Sequence, residues 1–244
     1  MKQKDRSRGL HGRVVHDLGR RIVAGEFVAG APLPSQDECC ELVGVSRSVL
    51  REALRVLAAK GMVEARPKAG TFIRPRGAWN FLDPEILEWR LETSEENEVL
   101  GQLHELRQMV EPVTASLAAE RAKLDDFIEM GQAYDDMVAS DHDHSIVEPD
   151  LRFHRAIIAA SGNEVFVALG RIIESALKIA FRIGSSNPQG QDESLAMHKA
   201  ILDAIVDRDG AAARSAMEKL INYSNETLSA ILAESESTTG NKKS

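Results

Sequence analysis

Cysteine is nearly absent from this 244-residue chain: it occurs twice, at the adjacent positions Cys39 and Cys40. Adjacent cysteines do not normally close an unstrained disulfide, and no further Cys or His stands at zinc-ligand spacing from them. They read as packing residues in a small helix. Long apolar runs are missing too, since none approaches the roughly 18 residues that a membrane span requires. The charged start Met1-Lys2-Gln3-Lys4-Asp5-Arg6 is followed by no apolar signal core. A cytoplasmic protein is therefore expected, with residues 1–7 disordered. Strand-like alternation is absent beyond Glu95, and no solenoid-type repeat is visible. No general base or nucleophile stands at a recognisable catalytic spacing.

Charge is present but unevenly placed. The net formal charge is −8, which at first argues against a polyanionic partner. Residues 1–77, however, hold 15 Lys and Arg against 8 Asp and Glu, a balance of +7; the remainder holds 15 against 30, a balance of −15. A basic head on an acidic body suits a protein whose head alone touches phosphate.

The head also carries the pattern of a groove reader. After Pro34, Ser35 is placed to cap a short helix through Val43, and Gly44 supplies a turn. Ser46 is placed to cap a second helix from Arg47 to Lys60, ended by Gly61. Val49, Leu50, Ala53, Leu54 and Leu57 form its core stripe, which leaves Arg47, Ser48, Arg51 and Arg55 off the core. Two short strand-like runs, Met62 to Ala65 and Thr71 to Ile73, flank the basic hairpin Arg66-Pro67-Lys68-Ala69-Gly70. Helix, turn, helix and wing together predict a winged helix-turn-helix over residues 8–77. The start of its second helix would meet base edges in a major groove of double-stranded DNA. Arg suits that task because its planar fork meets guanine O6 and N7 in pairs. The plainer reading is a solvated basic face with no ligand.

These residues resemble the winged-helix domain of the GntR transcription regulators. The resemblance is carried by Pro32-Leu33-Pro34-Ser35, by Gly44-Val45-Ser46-Arg47-Ser48-Val49-Leu50-Arg51-Glu52-Ala53-Leu54, by Gly61-Met62-Val63 and by Gly70-Thr71-Phe72-Ile73. It implies base-reading and phosphate-binding roles for Arg47, Ser48 and Arg51, and phosphate contacts for Ser35 and Ser46. It also implies a wing tip in the minor groove from Lys68 to Gly70. The family usually has Arg where Asp37 stands here. A carboxylate at that point repels phosphate, so the operator contact there is expected to be absent or altered.

Residues 78–94 read as a linker. Its large apolar side chains, Trp79, Phe81 and Leu82, predict packing on one domain, and Asp83-Pro84 predicts a short helix to Leu91. The stretch Trp79 to Leu91 is similar to the linker of the galactonate-operon repressor branch of the same family. From residue 95 to 233 every long segment has helical periodicity, so the body should be an antiparallel all-α bundle. Gly184 to Gln191 reads as a loop in it, and the Ser/Thr/Lys-rich tail 234–244 is expected to be disordered.

Within the body, polar residues stand where packing expects apolar ones. Arg107 interrupts the Leu103, Leu106, Val110 stripe. Asp150 and His154 are spaced i, i+4, so both point to one side of a helix. His198 shares a stripe with Ile201, Leu202 and Ile205. Buried ionisable groups are costly unless paired or liganded, so the four together suggest a small polar pocket. Singly, each has a bland reading: a hydrogen-bonded core histidine, an Arg107–Glu111 ion pair, or a helix-start charge at Asp150. Asp and His at i, i+4 with a His from another helix suit zinc, nickel, manganese or iron.

The body resembles the FCD ligand-binding domain that follows the winged helix in the FadR branch. The carrying residues are Glu105 to Pro112, Asp150-Leu151-Arg152-Phe153-His154, Ala160-Ser161-Gly162-Asn163 and His198 to Ile205. The resemblance implies a divalent metal on Asp150, His154 and His198. The fourth family ligand falls on Leu220, which cannot coordinate, so either three ligands hold a metal with open positions, the favoured expectation, or the site is metal-free and its polar groups bind the effector directly. The resemblance also makes Arg107 the effector's carboxylate-binding residue, with Arg152, His154 and His198 as further effector-binding candidates. Together these readings imply a homodimeric regulator that binds operator DNA and a small organic acid. A repressor released by a galactonate-like sugar acid is favoured; lactate, glycolate or a uronate are alternative effectors. A metal-dependent enzyme with a DNA-binding head is the rival from another class, and a DNA-binding dimer with a vestigial pocket is a third reading.

Overall fold

The computed structural model describes residues 9–93, 96–140, 146–184 and 191–240. The expected disorder of residues 1–7 lies outside them, as does nearly all of the Gly184–Gln191 loop. The chain divides into two compact units, residues 1–99 and 100–244.

The first unit is built on three helices and a hairpin. Helix α1 (Leu10–Val23) buries Val14, Val15, Leu18, Ile22 and Val23. Helix α2 (Gln36–Val43) opens on a capping box: the Ser35 hydroxyl accepts from the Glu38 backbone N–H, and the Glu38 carboxylate accepts from the Ser35 N–H. Gly44 ends it in the left-handed region at φ 66°, which favours glycine. Helix α3 (Arg47–Ala59) buries Leu50, Ala53 and Leu57 completely. Ser46 occupies its N-cap position, but no side-chain cap bond forms; the Ser46 and Ser48 hydroxyls lie 3.0 Å apart instead. Strands β1 (Val63–Arg66) and β2 (Gly70–Ile73) pair antiparallel, Val63 opposite Ile73 and Arg66 opposite Gly70. Lys68 and Gly70 turn the hairpin at φ 58° and 99°.

The residues read as a linker are packed into this unit. After a 3-10 turn at Arg76–Ala78, helix α4 (Pro84–Leu91) starts with Pro at its first position, and the Asp83 side chain accepts from the Glu85 N–H. Trp79, Ile86 and Trp89 belong to the same core as α1 and α3. Fully burying such side chains contributes roughly 1.5–3 kcal/mol each. The Trp89 indole N–H donates to His16 Nδ1 at 2.8 Å. Its ring lies so close to α1 that a Cβ on Gly19 would come within 2.4 Å of it. Lys60, just past α3, reaches Asp83 at 2.6 Å and Glu85 at 2.8 Å.

The second unit is helical among its described residues. It comprises most of α5 (Glu96–Arg121), then α6 (Leu124–Val138), α7 (Val147–Ala160), α8 (Glu164–Gly184), α9 (Gln191–Val206) and α10 (Gly210–Gly240). Met130, Met137, Phe153, Ile157, Ile201, Ile205, Met217 and Ile221 form one core, against which Tyr134 packs. Val110, Leu151, Ile158, Ile173 and Leu177 form a second. Helix α10 continues past Leu232 and takes in residues 234–240 of the stretch expected to be disordered; residues 241–244 lie outside the described ones. No helix among the described residues is long and apolar enough to cross a membrane.

Candidate functional site

Two places in the fold concentrate chemistry. In the first unit, α3 presents its first turn to solvent. Arg47, Ser48 and Arg51 are exposed, as are Lys68 and Gly70 at the hairpin tip and Ser35 and Ser46 at the two helix starts. The Ser35 hydroxyl is engaged by Glu38, to which it also donates at 2.7 Å. Arg47 is engaged too. Its Nε donates to Asp37 Oδ1 and its Nη2 to Asp37 Oδ2, each at 2.8 Å, although both side chains are about two-thirds exposed. Arg55 pairs with Glu52. No carboxylate among the described residues pairs with Arg51.

In the second unit, five polar side chains from three helices converge in the interior. Arg107 and Glu111 come from α5, Asp150 and His154 from α7, and His198 from α9; all are at most 6 % exposed. The i, i+4 spacing on α7 brings His154 Nε2 to 3.9 Å from Asp150 Oδ2. Across the bundle, His198 Nε2 stands 3.1 Å from Asp150 Oδ1. The two imidazoles lie nearly perpendicular, 5.6 Å apart, with Phe153 against both rings. Asp150, His154 and His198 each offer one ligand atom, and all three atoms lie within 4.8 Å of one another.

The surroundings orient this trio. His198 Nδ1 is 2.7 Å from the Ser194 carbonyl, which can only accept, so Nδ1 carries the proton. The opposite ring nitrogen, Nε2, faces the Asp150 carboxylate. His154 Nδ1 approaches Glu111 Oε2 at 2.6 Å, and Arg107 Nε donates to the other Glu111 oxygen. Burial alone would raise the Glu111 pKa, but Arg107 and His154 outweigh it and hold the group at about 2. Asp150 is likewise lowered against its burial, through His198, His154 and Arg107. For His154 burial acts downward, and Glu111 and Asp150 more than offset it, so its pKa is raised.

A cation fits this arrangement. Asp150 Oδ2 and His198 Nε2 are buried without a hydrogen-bond partner among the described residues, although His198 Nε2 lies 3.1 Å from Asp150 Oδ1. Unpartnered buried donors and acceptors are costly. An Asp/His/His set is a suitable donor set for a divalent transition metal. Glu111 behind His154 and the Ser194 carbonyl behind His198 are the outer hydrogen-bonding partners that fix ring orientation in such sites.

Arg152 is not brought to this cluster. It lies two residues from each of Asp150 and His154, on another side of α7. There it pairs with Asp136 at 2.6 Å and Glu129 at 3.6 Å on α6. Leu220 is buried in the apolar core with Phe153, Ile201 and Met217, where it packs. Arg107 does join the cluster, bonded to Glu111 by its Nε. Glu111 was legible only as the far end of an i, i+4 pair, and its second contact, to His154, comes from the helix packing. The Ser194 carbonyl could have been suspected from its i, i+4 spacing to His198.

Comparison with known proteins agrees with both halves. Residues 10–73 match the family described as bacterial regulatory proteins, gntR family, and residues 102–223 match the FCD domain. The chain is 36% identical to the galactonate operon transcriptional repressor of Escherichia coli K12, over 90% of this chain and 96% of that one. It is 30% identical to the Uxu operon transcriptional regulator of the same organism, over 88% and 86%. Among solved structures, Streptococcus agalactiae GntR aligns with a TM-score of 0.50 at 27% identity, covering 87% of this chain and 97% of that one. These relatives are regulators of transcription and not enzymes, which removes the enzyme alternative. An N-terminal winged helix-turn-helix followed by an FCD domain places this chain in the GntR family of bacterial transcription regulators.

Proposed function

We propose that this protein is a homodimeric repressor of a sugar-acid catabolic operon, released from its operator by a galactonate-like effector held in the buried cluster of the FCD domain. The observation that carries the reading is the convergence of Asp150, His154 and His198, whose ligand atoms lie within 4.8 Å of one another, with Asp150 Oδ2 and His198 Nε2 buried and lacking a hydrogen-bond partner among the described residues. These three residues would hold a divalent cation such as zinc, nickel or manganese. With Leu220 in place of a fourth ligand, the cation would keep open positions for hydroxyl or carboxylate oxygens. Arg107 has its Nε on Glu111, and no described residue takes its terminal nitrogens. Those terminal N–H groups suit an effector carboxylate, which Arg binds in a fork. The 36% identity to a galactonate operon repressor supports both the sign of regulation and the class of acid. On the DNA side, Arg47, Ser48 and Arg51 would read bases and phosphates, Ser35 and Ser46 would hold phosphates, and the Lys68–Gly70 tip would enter the minor groove. Two such heads on a dimer suit a palindromic operator.

The test is release of an operator duplex, followed by fluorescence anisotropy, on titration with galactonate, a uronate, lactate and glycolate. Galactonate should release the duplex from metal-loaded protein. His198→Ala should lose metal and response together while binding DNA normally without effector. Release by lactate or glycolate in place of galactonate would overturn the effector class. A normal response from His198→Ala would overturn the role of the cluster.

A further inference from the structure

The first turn of α3 contains a contact that the general reading of a basic recognition helix does not require. Arg47 is the first residue of the helix, and it is forked onto a carboxylate from the first turn of α2. The geometry is specific about which edge is used. Asp37 takes the Nε–H and one Nη2–H, the side edge of the guanidinium. The end edge, formed by Nη1 and the remaining Nη2–H, points away from Asp37, and no other described residue takes it. With the side edge held by Asp37, the end edge still offers two parallel donors, a pattern that meets guanine O6 and N7.

We infer that Asp37 is a specificity-determining residue of the DNA-binding head: it positions Arg47 as a fixed guanine reader. The inference rests on the reading of α3 as the recognition helix. An exposed arginine has several rotatable bonds, and ordering it on a base costs side-chain entropy. A carboxylate that already holds the side edge removes much of that loss and fixes the direction of the end edge. The same carboxylate works against a competing use of Arg47. A guanidinium carrying a paired negative charge is a poorer phosphate ligand, so Arg47 is withdrawn from sequence-independent backbone binding and kept for a base edge. Arg51 lies one turn along the helix without such a partner and remains suited to phosphate. The pair thus divides labour between two arginines: the one with a carboxylate reads, and the one without it anchors.

Two consequences separate this from an incidental surface ion pair, which contributes little to stability. Removing the carboxylate should blur the preference for one base pair in each half-site. It should also strengthen binding to DNA of arbitrary sequence, because a negative charge beside the phosphates is lost. A purely electrostatic role for Asp37 would give the second effect without the first.

The experiment is selection from a pool of random-sequence duplexes by the intact wild-type dimer, Asp37→Ala, Asp37→Asn and Arg47→Ala, followed by binding titrations on the wild-type consensus and its single-base variants. Wild type should select a guanine in each half-site whose preference Arg47→Ala abolishes. Asp37→Ala should lower the preference at that same position by about threefold or more, leaving the other positions unchanged. Its affinity for non-consensus duplexes should rise. Asp37→Asn, which keeps an acceptor for Nε–H, should fall between. If Asp37→Ala selects the wild-type consensus with undiminished preference while Arg47→Ala loses it, the positioning role is overturned and the recognition helix stands. If Arg47→Ala also selects the wild-type consensus, the recognition helix itself is misassigned and the inference falls with it.

Discussion

The residue whose role changes most between sequence and structure is Glu111. On the chain it is an i, i+4 partner for Arg107; in the fold it also backs His154, so that Arg107, Glu111 and His154 form a buried relay. Outer partners of this kind set ligand basicity and ring orientation. Glu111→Gln should therefore weaken zinc or nickel binding about 10- to 100-fold while the helices stay intact. Competition against a chromophoric chelator measures this directly, and an unchanged affinity would confine Glu111 to pairing with Arg107. Asp150, His154 and His198 were legible because each interrupts an apolar stripe, and interrupting a stripe is a property of one helix. Glu111's second contact joins two helices, and its spacing carries no trace of that. Arg152 misleads for the same reason in reverse. Nearness in sequence to His154 suggests the pocket, whereas its angular position on α7 carries it to Asp136 and Glu129.

Among the elements, α1 and α4 are joined by the absence of a side chain. Gly19 lies mid-helix, where glycine is ordinarily unfavourable relative to alanine, but the Trp89 ring occupies the space where its Cβ would stand. The ring has little freedom to yield, since it is fully buried and held by His16. Gly19→Ala should gain helix propensity yet destabilise the first unit by about 1–3 kcal/mol through overpacking. Thermal melting followed by circular dichroism decides the sign, and a stabilised variant would mean that α4 does not pack on α1 as described. The ends marked by Ser35, Gly44, Pro84 and Gly162 were legible to within a few residues because those residues punctuate them, whereas the end of α10 was not, since the helix runs on through residues 234–240. The Ser46 cap was not, because its hydroxyl sits beside Ser48 in place of closing on the helix. The docking of α4 was legible only as a tendency: large apolar residues in a linker must cover something, but which helix they cover depends on a glycine far away in sequence.

For the whole molecule, the division of charge governs how it meets DNA. The +7 head and the −15 body make opposite contributions, and only the head carries the exposed first turn of α3. Operator affinity should fall steeply with salt, each phosphate contact adding roughly −0.9 to the log–log slope. Residues 100–244, which form a compact unit of their own, should not retard DNA at any salt concentration. Retardation by that fragment in a gel would place the reader elsewhere. An effector that acts on such a molecule must bind one arrangement of the protein better than another, whatever its affinity. The chain supplies its own means of following that. Its two tryptophans, Trp79 and Trp89, are core residues of the first unit, and its two tyrosines, Tyr134 and Tyr223, belong to the second. Each unit therefore carries a separate intrinsic chromophore. Excitation at the red edge of the absorption band reports on the DNA-binding unit alone, and a change in emission there on adding a sugar acid marks the arrival of the effector's signal without any label.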